Sequence, residues 1–290
     1  MAATMKKKSV SHMSITTDQH SDEKYWKRQM DEIKEVGHIK ELLIDVKGGK
    51  NEFLLHQLKA SHQDLTVDHL IIFSSTSRSN VEYLFEMFPS WQVKKLSLTF
   101  NNIFYETLPK APPVASLAVT IKPESGNDRY YQLLSEYIIH NKKLESFSLE
   151  SLEEINVERF QLLVEALSSN KGVKKVRLAY WMTNKHLQIL VDRLAAHIVE
   201  LDLSRNQMTD YGLLGKLISG RELRKLNMKK NLWEGDRKAF NEALLSRKAS
   251  LESVAFSGYY SADLPILKQL KDEAPNLKKL GSSMIMSRLK

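Results

Sequence analysis

A spacing of three apolar residues recurs along almost the whole chain and limits the fold more than any other feature of the sequence. In each copy, two variable positions separate the first apolar residue from the second, and one variable position separates the second from the third. Successive copies begin 21 to 30 residues apart, an interval long enough for one strand and one helix. Nine consecutive copies have this spacing: Ile39/Leu42/Ile44, Val67/Leu70/Ile72, Val93/Leu96/Leu98, Val114/Leu117/Val119, Leu144/Phe147/Leu149, Val173/Val176/Leu178, Ile198/Leu201/Leu203, Leu223/Leu226/Met228 and Leu251/Val254/Phe256.

The spacing is typical of a strand that is buried on one side. The second and third apolar residues of a copy are two positions apart, so in an extended strand they point to the same face. Between copies, apolar residues return at helical spacing, as Phe160, Leu163, Val164 and Leu167 do. A strand followed by a helix, many times over, predicts an α/β solenoid, in which a curved parallel β-sheet has helices and loops on its outer side.

Two copies carry a longer motif that extends beyond the strand. Residues 201–208 read LDLSRNQM and residues 226–233 read LNMKKNLW, each with an asparagine three positions after the third apolar residue. On these residues the chain resembles the leucine-rich-repeat superfamily, nearest its ribonuclease-inhibitor-like class. The resemblance implies a repeat domain of about nine to ten units over residues 38–283. It also implies that the asparagines, Asn206 and Asn231, bond neighbouring backbone groups in the turn after the strand.

Other copies depart from this motif. Leu152, Trp181 and Tyr259 stand where the asparagine is expected, so the resemblance does not define those turns. The spacing alone leaves an ordinary α/β sheet protein as an alternative, although the glycine-rich phosphate turn of doubly wound folds is absent. The shortest interval between copies contains Pro109, Pro112 and Pro113, which disfavour a long helix and predict an irregular crossing.

The two flanks of the repeat domain differ from it in pattern. Residues 1–21 have no apolar periodicity and are predicted to be a disordered N-terminal tail. Residues 22–37 are predicted to form an N-terminal capping helix that ends at Gly37, because Trp26, Met30 and Ile33 fall at helical spacing; a partner-binding helix is the alternative. A degenerate tenth copy begins at Leu277 and Leu280, and residues 284–290 are predicted to be the C-terminal cap or tail.

Residues with catalytic or metal-binding spacing are missing from the sequence. The chain has no cysteine, which excludes thiolate nucleophiles and cysteine metal sites. It also has no hydrolase elbow, phosphate loop or zinc-protease motif, so no catalytic, cofactor or metal residue is assigned and no enzyme activity is expected. The nine histidines are scattered, and His186 and His197 are predicted to be surface residues. No apolar run is long enough to span a membrane, and an intracellular, most simply cytoplasmic, location is expected, with the nucleus as an alternative.

The variable positions of the strands point to one surface, which is the predicted concave binding face. Their charges alternate in sign from copy to copy, and neighbouring strands lie about 4.8 Å apart. The pattern therefore fits a ladder of lateral ion pairs and a recognition surface equally well. Trp181 is a further candidate anchor, and Trp233 is predicted to be partly in the core. The candidate partner-binding residues are Lys94, Lys95, Lys174, Lys175, Arg177, Tyr180, Asp202, Arg205, Arg224, Lys225 and Lys229.

The net charge of +8 raises two classes of partner, an acidic protein surface and a nucleic acid. The leading hypothesis is a non-catalytic scaffold or substrate-recognition module that binds a protein through the concave face. The alternative is a nucleic-acid-associated protein that uses the basic copies. Acidic copies interrupt the basic ones, and no nucleic-acid recognition motif is present, which favours the first hypothesis.

Overall fold

The computed structural model contains parallel strands alternating with helices in two compact units. Unit 1 comprises residues 1–137 and 141–144, and unit 2 comprises residues 138–140 and 145–290. In the parts that the structure describes, no helix is long and apolar enough to cross a membrane. The described residues are 8–17, 28, 36–46, 65–73, 85, 91–100, 105–121, 128–235, 237–256 and 264–280.

Unit 1 is dominated by five parallel strands, each of which pairs with the next along the chain. The crossing from the fourth strand to the fifth contains a 3₁₀ helix, Tyr105–Lys110, with Pro109 inside it, which confirms the irregular crossing predicted from the prolines. The strands are β1 (Lys8–Thr17), β2 (Val36–Val46), β3 (Thr66–Phe73), β4 (Gln92–Phe100) and β5 (Ser116–Ile121), followed by helix α1 (Asp128–His140).

Unit 2 alternates strictly between strand and helix. Each strand pairs in parallel with the next, and each helix packs against the next. The strands are β6 (Ser146–Ser151), β7 (Lys175–Ala179), β8 (Glu200–Asp202), β9 (Lys225–Asn227), β10 (Ser253–Ala255) and β11 (Lys279–Leu280). The helices between them are α2 (Val157–Ser169), α3 (Asn184–Arg193), α4 (Tyr211–Ser219), α5 (Lys238–Ser246) and α6 (Leu264–Glu273).

The recurring apolar residues form the core, as predicted. In β7, Val176 and Leu178 are buried on the same face of the sheet, and Arg177 between them is half-buried on the other face. The helical set of α2 includes Phe160 and Leu167, which are fully buried. Burying one such side chain stabilises the fold by roughly 1.5–3 kcal/mol, so the repeated spacing accounts for the parallel α/β arrangement.

The N-terminal part of unit 1 corrects the prediction of a disordered tail over residues 1–21. Residues 8–17 form β1, in which Ile15 is fully buried. Val10, Met13 and Ile15 have the same spacing as the other copies and lie opposite the apolar residues of β2. The interleaved serines and threonines hide this copy from a periodicity search, yet threonine and β-branched residues favour a strand.

The predicted N-terminal capping helix, residues 22–37, also needs correction at its end. Val36 and Gly37 belong to β2, so Gly37 is not a helix stop. Arg28 is helical, and the other residues from 22 to 35 lie outside the described residues. The predicted C-terminal cap, residues 284–290, lies outside them too.

Asparagine side chains close the turns after β8 and β9, as the sequence motif predicts. The Nδ2 group of Asn206 donates to the carbonyl oxygens of Leu178 (2.8 Å) and Leu203 (2.9 Å). Its Oδ1 atom accepts the backbone N–H groups of Trp181 (3.1 Å) and Met182 (3.0 Å). One buried side chain therefore ties its own turn to the turn of the preceding copy. Asn231 does the same one copy later, with Leu203 and Met228 as its carbonyl acceptors.

A buried histidine and tryptophan correct two surface predictions. His186 is fully buried, and its Nε2 group donates to the Ile155 carbonyl oxygen (2.7 Å) while Nδ1 accepts the Thr183 backbone N–H (3.2 Å). Both bonds fit the neutral ring, and burial lowers the pKa of His186. Trp181, a candidate interface anchor, is only 2% exposed and packs edge-to-face on Phe160. Trp233, predicted to be partly in the core, is buried. His197, predicted to be a surface residue, is half-buried.

Candidate interaction surface

The open face of unit 2 consists of the strand residues that alternate with the core residues. Apart from Ala255, which is buried, these side chains are half-buried or exposed, and they stand in cross-strand register. Opposite the core, the sheet thus presents a regular array of polar, charged and small side chains. The first row contains Ser146, Lys175, Glu200, Lys225, Ser253 and Lys279, and the second row contains Ser148, Arg177, Asp202, Asn227 and Ala255.

Opposite charges pair across the strands of this open face. Glu200 Oε1 lies 3.0 Å from Lys225 Nζ and 3.7 Å from Lys175 Nζ. In the second row, Arg177 contacts a carboxylate on each neighbouring strand. Its Nη1 group contacts Glu150 of β6, and its Nε atom lies 3.6 Å from Asp202 Oδ2 of β8. The alternation of charge seen in the sequence is therefore a ladder of lateral ion pairs. These pairs are partly exposed, so each contributes only about 0–1 kcal/mol to stability.

A further ion pair lies at the amino ends of the strands. Arg224 Nε is 2.6 Å from Glu252 Oε1, and the Nη2 group of the same arginine also contacts that oxygen. This interaction with Arg224 lowers the pKa of Glu252. Five predicted partner-binding residues, Lys175, Arg177, Asp202, Arg224 and Lys225, are thus engaged in ion pairs within the chain.

The remaining predicted residues have different surroundings. Lys174 is exposed, and no ion pair involves it within the part of the chain that the structure describes. Lys94 and Lys95 belong to unit 1, where Lys94 Nζ lies 2.7 Å from Asp68 Oδ1 and Lys95 stands opposite His69. Tyr180, Arg205 and Lys229 lie together at the carboxyl ends of the strands of unit 2.

This carboxyl end has an unusual backbone. Tyr180, Arg205 and Lys230 stand two positions after the third apolar residue of three successive copies, and their φ angles are 85°, 63° and 57°. Among the described residues, they are the non-glycine residues with positive φ. The left-handed conformation costs a residue with a Cβ atom about 1 kcal/mol. We call Tyr180, Arg205, Lys229 and Lys230 the ridge.

Contacts inside the ridge join neighbouring copies. Arg205 Nη1 donates to the hydroxyl oxygen of Tyr180 (2.5 Å), and the guanidinium carbon lies 5.5 Å from the centre of the tyrosine ring. The backbone N–H of Tyr180 donates to the Arg205 carbonyl oxygen (2.9 Å), and that of Arg205 donates to the Lys229 carbonyl oxygen (2.8 Å). Arg205 and Lys230 are exposed, whereas Tyr180 and Lys229 are half-buried. The ridge is therefore a fixed row that combines an aromatic ring with cations.

Unit 1 contains a histidine cluster that sequence reasoning missed. Glu41 lies between two imidazoles, with Oε1 3.0 Å from His12 Nδ1 and Oε2 3.4 Å from His69 Nδ1. Burial, and secondarily the charge of Lys95, lower the pKa of His69. These residues fall at one register position of β1 to β4, so alignment of the copies could have found them. Over the described ranges, no three metal-ligating side chains are arranged to hold a metal ion.

Comparison with known proteins finds no match, so any functional proposal depends on the geometry described above. No protein-family model matches this sequence, and no curated protein is significantly similar to it.

Proposed function

We propose that this chain is a leucine-rich-repeat protein of the ribonuclease-inhibitor-like class and a non-catalytic interaction module. It binds a protein partner through the open face and the ridge of unit 2. The asparagine bonds in the turns support the repeat class, because Asn206 and Asn231 make the contacts that the motif requires. No single copy can bury its apolar face alone, so stacked copies form a rigid support for surface residues.

The observation that carries the binding proposal is the fixed array of side chains on the open face. Lateral ion pairs favour one arrangement of Lys175, Glu200 and Lys225 before any partner arrives. Binding to such a surface loses less conformational entropy than binding to mobile side chains. Small residues such as Ser146 and Ser253 flank the charged ones in the same row and leave room for a partner's side chains.

The same ion pairs weigh against the nucleic-acid alternative. A phosphate backbone is bound by cations that neutralise it, and its affinity falls steeply with salt. Lys175, Arg177 and Lys225 each face a carboxylate of the chain, which would repel phosphate. The open face therefore suits a protein surface with charges of both signs better than a nucleic acid.

The test is a steric block of the open face that leaves the ladder intact. Ser146→Trp with Ser253→Trp places two bulky side chains at either side of the Lys175–Glu200–Lys225 row. The matched control is Gln188→Trp with Ser219→Trp, at exposed positions of α3 and α4. Tagged proteins are recovered from nuclease-treated lysate of the native cells, and the bound proteins are quantified by mass spectrometry.

We expect the control to retain a protein that the blocked variant loses, with both variants folded by circular dichroism. Equal recovery by the two variants would show that the open face is not the binding surface. Loss of every bound component on nuclease treatment, with wild-type protein as well, would instead favour the nucleic-acid alternative.

A further inference from the structure

We infer that unit 1 binds an extended segment of a protein partner in which one acidic and two apolar residues occupy alternate positions. The binding surface is a group of apolar side chains on the face of β1 to β5 opposite the core, together with Lys95 beside them. These residues all belong to unit 1, so the inference goes beyond the proposed function and does not depend on it. We call Leu43, Ile71 and Phe73 the apolar patch.

The apolar patch points away from the core of the repeat. Leu43 lies between the core residues Leu42 and Ile44, so its side chain points to the opposite face of the sheet. Ile71 stands beside it in register on β3, and Phe73 follows two residues later on the same face. Leu43 and Ile71 are half-buried, whereas Phe73 is 40% exposed. Large apolar side chains that adjoin one another at the surface indicate a contact surface, unlike single scattered ones.

The fold does not require apolar residues at these positions. In register with Leu43 and Ile71, the neighbouring strands carry small or hydroxyl-bearing residues, Ser14, Ser97 and Ala118. The same strand position in unit 2 carries the ion-paired residues Arg177 and Asp202. A copy of the repeat therefore accepts a charged side chain here, and the apolar residues of β2 and β3 need another explanation than packing of the sheet.

Lys95 supplies a cation at the edge of the patch. It stands on β4, two residues before Ser97 and in register with His69. Lys95 is half-buried, and within the described part of the chain its side chain has neither an ion pair nor a hydrogen bond. His69 adds little charge at neutral pH, since burial lowers its pKa. A half-buried ammonium group has lost part of its hydration, so a carboxylate from a ligand stabilises it.

The carboxylates of unit 1 leave this cation to a ligand. Glu41 and Asp45 stand on β2, two strands away from Lys95. Asp68 of β3 is engaged by Lys94, whose Nζ lies 2.7 Å from its Oδ1. An acidic residue of the partner is therefore attracted to the β4 side of the patch and repelled from the β2 side, which fixes where it lies against the sheet.

The spacing of these groups matches an extended peptide laid along the strands. Lys95 stands level with His69, two residues before Ile71, and Phe73 stands two residues after Ile71. The three groups therefore occupy successive rows of the sheet, about 6.6 Å apart. Alternate side chains of an extended peptide have the same spacing and point the same way. One carboxylate can thus reach Lys95 while two apolar side chains lie on the patch, and the rows accept a peptide in either direction.

The experiment measures binding of labelled peptides to the full-length chain by fluorescence anisotropy at low salt. The acidic peptide has the sequence ESLSL, and its reverse, LSLSE, presents the opposite chain direction. In the neutral peptides, QSLSL and LSLSQ, glutamine replaces the glutamate. The shifted peptide, ELSSL, has the same composition as the acidic one but places one leucine on the other side of an extended chain. Thermal unfolding checks that each protein variant is folded.

The charge is tested by Lys95→Gln, with Lys171→Gln at an exposed lysine of unit 2 as its control. We expect wild-type protein to bind an acidic peptide about threefold or more tightly than its neutral counterpart. This difference should vanish in Lys95→Gln and persist in Lys171→Gln. A difference that survives in Lys95→Gln shows that another group binds the carboxylate and overturns the inference.

The patch is tested by Ile71→Thr with Phe73→Thr, which keeps residues that favour a strand. Its control is Leu152→Thr with Leu232→Thr, at apolar residues of unit 2 that are 66% and 64% exposed. The patch variant should lose about tenfold or more in affinity for the acidic peptide, and the control less than about twofold. Equal loss in both variants, or binding of ELSSL as tight as that of ESLSL and LSLSE, overturns the inference.

A second copy of this chain is the competing occupant of the patch. Sedimentation velocity that shows a dimer in wild-type protein and a monomer in the patch variant overturns the peptide inference in favour of self-association. The proposed function is tested separately, since Ser146→Trp with Ser253→Trp should bind the acidic peptide as wild-type protein does. If no peptide binds in either direction, the inference is wrong, and the interaction module of unit 2 still stands or falls by the recovery of its partner.

Discussion

At the scale of single residues, the sequence predicts backbone roles better than side-chain surroundings. Asn206 was identified by its place after the strand, and it makes the bonds expected there. Trp181 occupies the same place one copy earlier, yet it is a core residue. Its backbone N–H donates to Asn206 Oδ1 of the next copy, and its ring packs edge-to-face on Phe160 in the core. Sequence spacing does not show whether the side chain at this position bonds the turn or packs into the core.

Replacing Asn206 tests how much the turns depend on this side chain. We expect Asn206→Ala to lower the free energy of unfolding by about 2–4 kcal/mol, because buried backbone donors and acceptors lose their partner. The control, Asn227→Ala, alters a half-buried residue of the open face that accepts one long bond from Lys229 N–H (3.3 Å) and should change stability by less than about 1 kcal/mol. Guanidinium unfolding measures both, and equal effects would contradict the role assigned to Asn206.

The buried neutral histidine predicts a specific pH dependence. Because burial lowers the pKa of His186, the folded chain resists protonation at pH values where the unfolded chain, with a pKa near 6.5, accepts the proton. The stability from His186 is therefore fully present above about pH 6.5 and is lost as the pH falls below it towards the folded pKa. Urea midpoints between about pH 8 and about pH 5 should fall with acidity, and His186→Gln should flatten part of that slope.

An exposed histidine provides the comparison for this slope. The same measurements on His140→Gln, which replaces an exposed histidine at the end of α1, give the matched variant. Some slope should remain in His186→Gln, because burial also lowers the pKa of His69 and His197. A wild-type slope in His186→Gln would show that His186 titrates alike in the folded and unfolded chain.

At the scale of elements, strong periodicity predicted the helices and strands of unit 2, and weak periodicity failed at the N-terminus. The α2 set around Phe160 and Leu163 is buried as expected. By contrast, β1 has serine and threonine at most of its variable positions and only three apolar residues to mark it. A strand of this kind is recognised by its register with a neighbour, which a single pass along the sequence does not provide.

A polar substitution in β1 distinguishes a strand from a disordered tail. Ile15 is fully buried and lies opposite Ile44 of β2, so Ile15→Asn should lower the free energy of unfolding by about 2–4 kcal/mol. Ser14→Asn, at the neighbouring half-buried position, should change it by less than about 1 kcal/mol. Chemical denaturation measures the difference; if Ile15→Asn has no effect, β1 does not belong to the folded sheet.

The contact between α4 and α5 depends on a missing side chain. A Cβ atom at Gly215 would lie 2.8 Å from the backbone carbon of Ala239 and 2.9 Å from the nitrogen of Phe240. Gly215→Ala should therefore separate the helices and lower stability by about 1–3 kcal/mol, despite the better helix propensity of alanine. Gly220→Ala is the control, because its Cβ would be 3.6 Å from the nearest atom. Thermal unfolding of both variants measures the effect, and equal melting temperatures would refute the close contact.

At the scale of the whole molecule, the sequence predicted a repeated parallel α/β fold and the charged face of the sheet, but not the backbone of the ridge at the carboxyl ends of the strands. The alternation of charge was visible, and the ladder of Lys175, Glu200 and Lys225 follows from strand register. The ridge was only partly visible: Tyr180, Arg205 and Lys229 were candidate partner-binding residues, but nothing in the sequence grouped them with Lys230. Its defining property is the left-handed backbone at one position in three successive copies. That conformation depends on turn geometry, and none of the three positions has the glycine or asparagine that would have predicted it.

The bonds of Asn206 also set an order in time for the growing chain. The N–H groups of Trp181 and Met182 donate to the Oδ1 atom of Asn206, a residue 25 and 24 positions further along the chain. A ribosome adds about 5–20 residues per second, so the turn after β7 stays incomplete for roughly a second or more after its own residues have been made. The hydrogen bonds of this turn can therefore form only after the next copy has been synthesised. A pause in synthesis before Asn206 would leave two backbone donors, which are buried in the folded chain, exposed to water or to a chaperone.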